Sequence, residues 1–192
     1  FIGVLLMQRV LGYDAIETGV AFLPVSLSIG VLSLVFAPRL IMRYGAKSTL
    51  LPGLVLVAAG LALFARAPVD GGYVVDVLPT MLLLGVGAGL SFPSLMTLAM
   101  SGATQSDAGL ASGLVNTSLQ VGGALGLAVL ATLSSTRSEN LRADGESVAD
   151  ALLGGYHLAF AIAAALVAVA IVVALTVLSP KAAVAQAEAP EA

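Results

Sequence analysis

VLPTMLLLGVGAGLSFPSLMTLAMSGATQS, residues 77–106, runs thirty residues without one Asp, Glu, Lys or Arg. A charged side chain at the centre of a bilayer is costly on every scale, and about 20 apolar residues in a helix cross the hydrocarbon core. The stretch therefore reads as a transmembrane helix. Working outward, charge is also absent from 18–38, 48–65, 108–136 and 151–180, which gives five complete spans. The apolar opening Phe1-Ile2-Gly3-Val4-Leu5-Leu6-Met7 adds a sixth, incomplete one.

Composition agrees with this reading. The chain has 192 residues, 59% of them hydrophobic and 10% charged, with a mean hydropathy of +1.05. A soluble domain averages about 45–50% apolar and about 25% charged, so this composition cannot supply a wetted surface. Outer-membrane barrels are excluded because they alternate polarity over short segments instead of running continuously apolar. A net charge of -3, thinly spread, points away from nucleic acid. The absence of Cys removes disulfides, thiolate catalysis and thiolate metal sites.

The expected fold class is all-α integral membrane, a six-helix bundle with its first helix truncated. The bundle is expected over 1–178, with spans at about 1–8 (partial), 15–37, 49–66, 77–99, 108–134 and 155–178. Because Phe1 already stands within an apolar run and no basic leader precedes it, the chain reads as the C-terminal part of a larger protein. Ser179-Pro180 stops the last run, and the Ala-, Glu- and Pro-rich 179–192 is expected to be a disordered tail.

The connections carry the charges. Arg39, Arg43 and Lys47 are three bases without an acid among them, whereas Arg9, Arg66, Arg137 and Arg142 are interspersed with acids. This density favours a cytoplasmic 39–47 loop, hence a cytoplasmic C-terminus in the plasma membrane. Leu141, Val148 and Leu152 among the charges of 137–150 predict a short amphipathic helix lying at the interface.

The chain's 21 glycines include pairs four apart, Gly85 with Gly89, Gly109 with Gly113, and Gly122 with Gly126. Small residues at this spacing let membrane helices approach closely. Pro24, Pro79 and Pro93 bend helices or free carbonyls, either as fixed kinks or at moving positions. Ser112, Asn116 and Gln120 recur every fourth residue and so share one helical face. Amide groups turned to lipid would lack partners, so that face looks to a neighbouring helix or to a water-filled cavity. Thr97 and Gln8 join them as candidate cavity residues, and the hydroxyls of Ser26, Ser28, Ser33, Ser91 and Ser94 serve either interhelical hydrogen bonding or substrate contact.

Three motifs carry no chemistry. Gly85-x-Gly87-x-Gly89 imitates a dinucleotide fingerprint but lies inside an apolar span with no strand before it. Asn116-Thr117-Ser118 fits a glycosylation sequon at membrane depth. His157, the only histidine, sits at the mouth of the last span as an interfacial residue. No paired carboxylates, nucleophile with base, or metal-ligand cluster is present, so no enzyme activity, catalytic residue, metal or cofactor is expected.

Gln8-Arg9-Val10-Leu11-Gly12-Tyr13, Gly19 and Phe22-Leu23-Pro24, taken with Ala108-Gly109-Leu110-Ala111-Ser112-Gly113-Leu114, Asn116-Thr117, Gln120 and Gly122-Gly123-Ala124-Leu125-Gly126, resemble the C-terminal bundle of the major facilitator superfamily. More narrowly they resemble its fourteen-helix drug:proton antiporters, the multidrug-resistance exporters. Arg39, Arg43, Gly45 and Lys47 are similar to the degenerate second copy of the family's cytoplasmic loop motif. The chain departs from that pattern at Pro38 and Met42, where the family carries Gly and Asp, so a charge pairing built on that Asp does not carry over.

The resemblance implies alternating access, two six-helix bundles rocking about a central site, and a proton gradient as the energy source. It also implies that the partners are the lipid bilayer, a small-molecule substrate and a missing N-terminal half holding the coupling carboxylates. The expected function is efflux of drug-like, amphipathic compounds. The competing readings are a non-transporting membrane sensor or assembly subunit, and a carrier of another small metabolite.

Overall fold

A computed structural model describes residues 2–9, 12–66 and 73–178; the tail expected over 179–192 and the loop around Asp70 lie outside them. The helices are α1 Ile2–Arg9, α2 Ala15–Tyr44, α3 Ala46–Phe64, α4 Leu78–Met100, α5 Ala108–Ala143 and α6 Val148–Val177. No strand occurs among the described residues. The last five helices are each long and apolar enough to cross a membrane. The protein is thus an all-α membrane fold.

The helix ends follow local chemistry. α2 opens on a reciprocal cap: Glu17 N–H donates to the Asp14 carboxylate at 2.7 Å, and Asp14 N–H donates back to Glu17 at 3.0 Å. It runs past the apolar zone to Tyr44, because nothing before Gly45 forbids helix. Gly45, at φ +86°, then reverses the chain directly into α3. Pro38 has no N–H to give, and the turn before it widens into a π turn over Leu32–Phe36, with Ala37 N–H reaching back to the Leu32 carbonyl.

α4 is the most buried span. Gly85 and Gly89 face α2: a Cβ on Gly85 would stand 2.9 Å from the Val25 carbonyl, and one on Gly89 would stand 2.7 Å from Leu32 Cβ. Gly87, two residues on and therefore on another side, meets α3, where a Cβ would be 2.7 Å from the Gly53 carbonyl. Glycines on two faces let α2 and α3 both press against α4. The Ser91 hydroxyl is buried beside Gly53 without a hydrogen-bond partner among the described residues.

Pro93 lies inside α4 and cannot donate to the carbonyl four residues before it, that of Gly89. Ser33, in the π turn of α2, donates to that carbonyl instead, at 3.1 Å. Ser26 and Ser28 bond back within α2, to the carbonyls of Phe22 and Pro24. Ser94 likewise donates to Leu90. Of these hydroxyls, Ser33 is the one that joins two helices.

α3 and α6 run antiparallel. At one end Lys47 donates to the carbonyls of Leu175 (3.1 Å) and Leu178; at the other, Phe64 stacks on Phe160 with centroids 5.0 Å apart. The main core, with Met7, Phe64, Val77, Met81, Tyr156 and Phe160, gathers at that second end. Tyr73, just ahead of α4, donates to the Ala21 carbonyl there at 2.9 Å. Burial pushes its phenol above the usual range, with Tyr13 adding to the shift, so it stays a donor throughout the physiological range.

The 137–150 segment differs from the expected interfacial helix. α5 continues unbroken to Ala143, turns over Asp144–Ser147 with Gly145 at φ +95°, and α6 starts at Val148 under a Ser147 cap. Leu141 points not to a bilayer surface but to Gly154, and Gly155 admits Ser134 and Ser138 of the returning helix. Leu141 belongs to the contact face of a helical hairpin, whereas Val148 is exposed. At 1.5 Å per residue α5 is about 54 Å long, well beyond a hydrocarbon core of about 30 Å.

Candidate functional site

The amide-bearing face of α5 is the leading candidate, and its setting follows from how α5 packs. Its C-terminal third is fixed against α6 through Ser134, Ser138 and Leu141, all buried. Before that point no residue from Ala108 to Leu133 is buried. Ser112, Asn116 and Gln120 lie in this free part, all exposed, and the amides of Asn116 and Gln120 have no hydrogen-bond partner among the described residues. Eight residues at 100° each turn the helix through 80° beyond two full turns, so the three groups form one polar stripe.

On the same helix, Leu110 (79% exposed), Leu114 and Leu125 are uncovered as well. A Cβ added at Gly109, Gly113, Gly122 or Gly126 would meet nothing within 4 Å. Those four glycines therefore pack against nothing among the described residues, in contrast with Gly85 and Gly89. Thr97, exposed near the end of α4, donates its hydroxyl to the Pro93 carbonyl at 2.9 Å. Gln8 is exposed on α1. The five polar candidates are not drawn together by contacts within the described residues; Ser112, Asn116 and Gln120 alone form a unit.

The basic loop is more ordered than its composition suggests. Arg39 donates to the Val35 carbonyl at 3.0 Å, beside the π turn. The Arg43 guanidinium lies over the Tyr44 ring, 5.3 Å from its centroid. Gly45 makes the bend, and its carbonyl accepts from the Thr49 hydroxyl at 3.0 Å. Lys47 reaches across to cap the C-terminal carbonyls of α6, which lack partners in any helix and carry its negative dipole end. A cavity of about 340 Å³ opens beside this loop between Leu40, Tyr44, Ser48 and Leu90.

The sequence pattern of Ser33 and Pro93 held the signal for their shared carbonyl, but only the packing of α2 on α4 identifies the acceptor. No such signal announced Lys47 as a cap.

The profile of the Major Facilitator Superfamily matches residues 1–127. The puromycin resistance protein pur8 of Streptomyces alboniger is 38% identical over 163 residues, covering 82% of this chain and 32% of that protein. The cephamycin export protein CmcT of Amycolatopsis lactamdurans is 36% identical over 149 residues, 77% of this chain and 31% of its own length. The multidrug transporter protein MdtP of Bacillus subtilis is 25% identical over 138 residues, 72% of this chain and 25% of its own. The chain thus spans about a third or less of the relatives it matches. With a profile match over two thirds of its length and relatives named for drug resistance and export, this chain of membrane-spanning helices belongs to the major facilitator superfamily of transporters.

Proposed function

We propose that the chain is the C-terminal bundle of a proton-driven exporter of drug-like, amphipathic compounds that works by alternating access. One observation carries the reading: a helix long and apolar enough to cross the membrane presents two amides and a serine on one exposed stripe, the amides without a partner among the described residues. Amides in such a place are retained at a cost unless water, substrate or the rest of the transporter meets them. Asn116 and Gln120 would line the cavity between this bundle and the remaining part of the protein. The names of the relatives, puromycin resistance and cephamycin export among them, support drug-like cargo.

No ionisable residue lies deep in a complete span, so the proton carrier belongs to the part of the transporter outside this chain. The energy source is then the proton gradient, and the chain's own share is cavity wall and packing surface.

In the full-length protein, Gln120→Ala and Asn116→Ala should each change resistance to at least one substrate by about fivefold, as expected for the loss of one hydrogen bond of about 1 kcal/mol. Membrane abundance should stay normal. Unchanged export of every compound tested would remove this stripe from the substrate path.

The basic 39–47 loop faces the cytoplasm in this reading, and the Asp144–Ser147 turn faces outside. Both test positions are exposed, Met42 at 80%. In a cysteine-free background, Glu146→Cys should react with an impermeant maleimide added to intact cells, and Met42→Cys only after lysis. The opposite pattern reverses the orientation.

A further inference from the structure

A second cavity, about 520 Å³, lies away from the amide stripe, among α1, the C-terminal third of α5 and the first turns of α6. Its wall has two characters. Leu5, Ala131 and Leu152 are apolar, while Arg9 from α1 and Arg142 from α5 line it from separate elements. Neither guanidinium has a hydrogen-bond or ion-pair partner among the described residues. At the other end of the bundle Arg39 and Lys47 each donate to a backbone carbonyl, and Arg43 lies over the Tyr44 ring. Glu139 also lines the cavity but pairs with neither arginine, leaving two cations against one carboxylate.

We propose that this cavity binds an amphiphile with an acidic head group, a phosphate in the first instance. Two fork-shaped donors suit the oxygens of a phosphate, and the bond is charge-assisted on both sides. The place is right for such a molecule: Arg137 is the first charge after the apolar 108–136, so the cavity sits where the span leaves the hydrocarbon and head groups begin. A tail lies along Leu5, Ala131 and Leu152, which would otherwise face water in an open cavity. Glu139 weakens a purely anionic head and restricts the site to one acidic group. The acidic amphiphile can come from the bilayer leaflet or from solution, and the same chemistry serves both.

The full-length transporter, made cysteine-free, carries Ser135→Cys as reporter, since Ser135 is exposed and lines the cavity. It is placed in phosphatidylcholine nanodiscs and labelled with an impermeant maleimide. Dodecyl phosphate at ten times its Kd should slow labelling about tenfold. Dodecyl maltoside, with the same tail and no charge, should have no effect, and inorganic phosphate should protect far less.

The double variant Arg9→Gln with Arg142→Gln should lose the protection while keeping its thermal unfolding midpoint, and Glu139→Gln should strengthen it. Replacing phosphatidylcholine by phosphatidylglycerol separates the sources: protection without added ligand assigns the site to the leaflet lipid, and continued need for dodecyl phosphate assigns it to soluble amphiphiles. Equal protection by the maltoside, undiminished protection in the double variant, or a cysteine that does not label in the ligand-free protein would each overturn the proposal.

Discussion

Gly87→Leu is expected to leave almost no folded protein. A Cβ at this position would stand 2.7 Å from the carbonyl oxygen of Gly53 and 2.8 Å from Val57 N, and these are backbone atoms that cannot rotate away. The remaining side-chain atoms would have to part α3 from α4, the most buried span. Overpacking in a close-packed core costs about 1–3 kcal/mol even where side chains can yield. Where backbone must move, the cost should exceed about 3 kcal/mol, a large share of a total stability of about 5–15 kcal/mol. Size-exclusion chromatography of a fluorescent fusion should show aggregated or absent protein. Gly19→Ala, where a Cβ meets nothing within 4 Å, should give a normal monodisperse peak. A folded, active Gly87→Leu variant would show that α3 and α4 do not cross at this point.

Lys47→Glu is expected to have the next largest effect. The ammonium holds two C-terminal carbonyls of α6, and hydrogen bonds to a charged group contribute about 1.5–3 kcal/mol. The partial exposure of Lys47 places its value toward the lower end of that range. Glu removes those bonds and brings a negative charge to the negative end of a helix dipole, adding about 0.3–1 kcal/mol. The thermal midpoint of the full-length protein should fall by several degrees, Lys47→Ala should fall less, and Lys47→Arg should restore most of the difference. Equal midpoints for the Glu and Ala variants would leave the dipole argument without support.

The placement of charges made the membrane-spanning helices legible, because the penalty for a buried charge acts residue by residue. It marked where a helix leaves the bilayer rather than where it stops, and α2 shows the difference by running on to Tyr44 until Gly45 ends it. The 137–150 segment misled for the same reason: charge there denotes water, and Leu141 is covered by Gly154 of the following helix, not by lipid. Repeats within one helix, such as Gly85 and Gly89, can be read from spacing. Gly53 against Gly87 cannot, since each helix supplies one glycine and their register is a tertiary fact. The stripe of Ser112, Asn116 and Gln120 is visible as a pattern, but its partner is supplied by nothing in the described chain.

Ser33 and Gly89 have a consequence for anyone who would transplant parts of this bundle. Pro93, with no N–H to give, leaves an acceptor that α4 cannot serve, and the donor is lent by α2 from its own irregular turn. Grafting α4 alone into another scaffold would export an orphaned carbonyl, and grafting α2 alone would export a loosened turn with an idle hydroxyl. The smallest portable module is therefore the two helices together, with their crossing preserved. Any rearrangement that slides one past the other must first find that carbonyl a new donor.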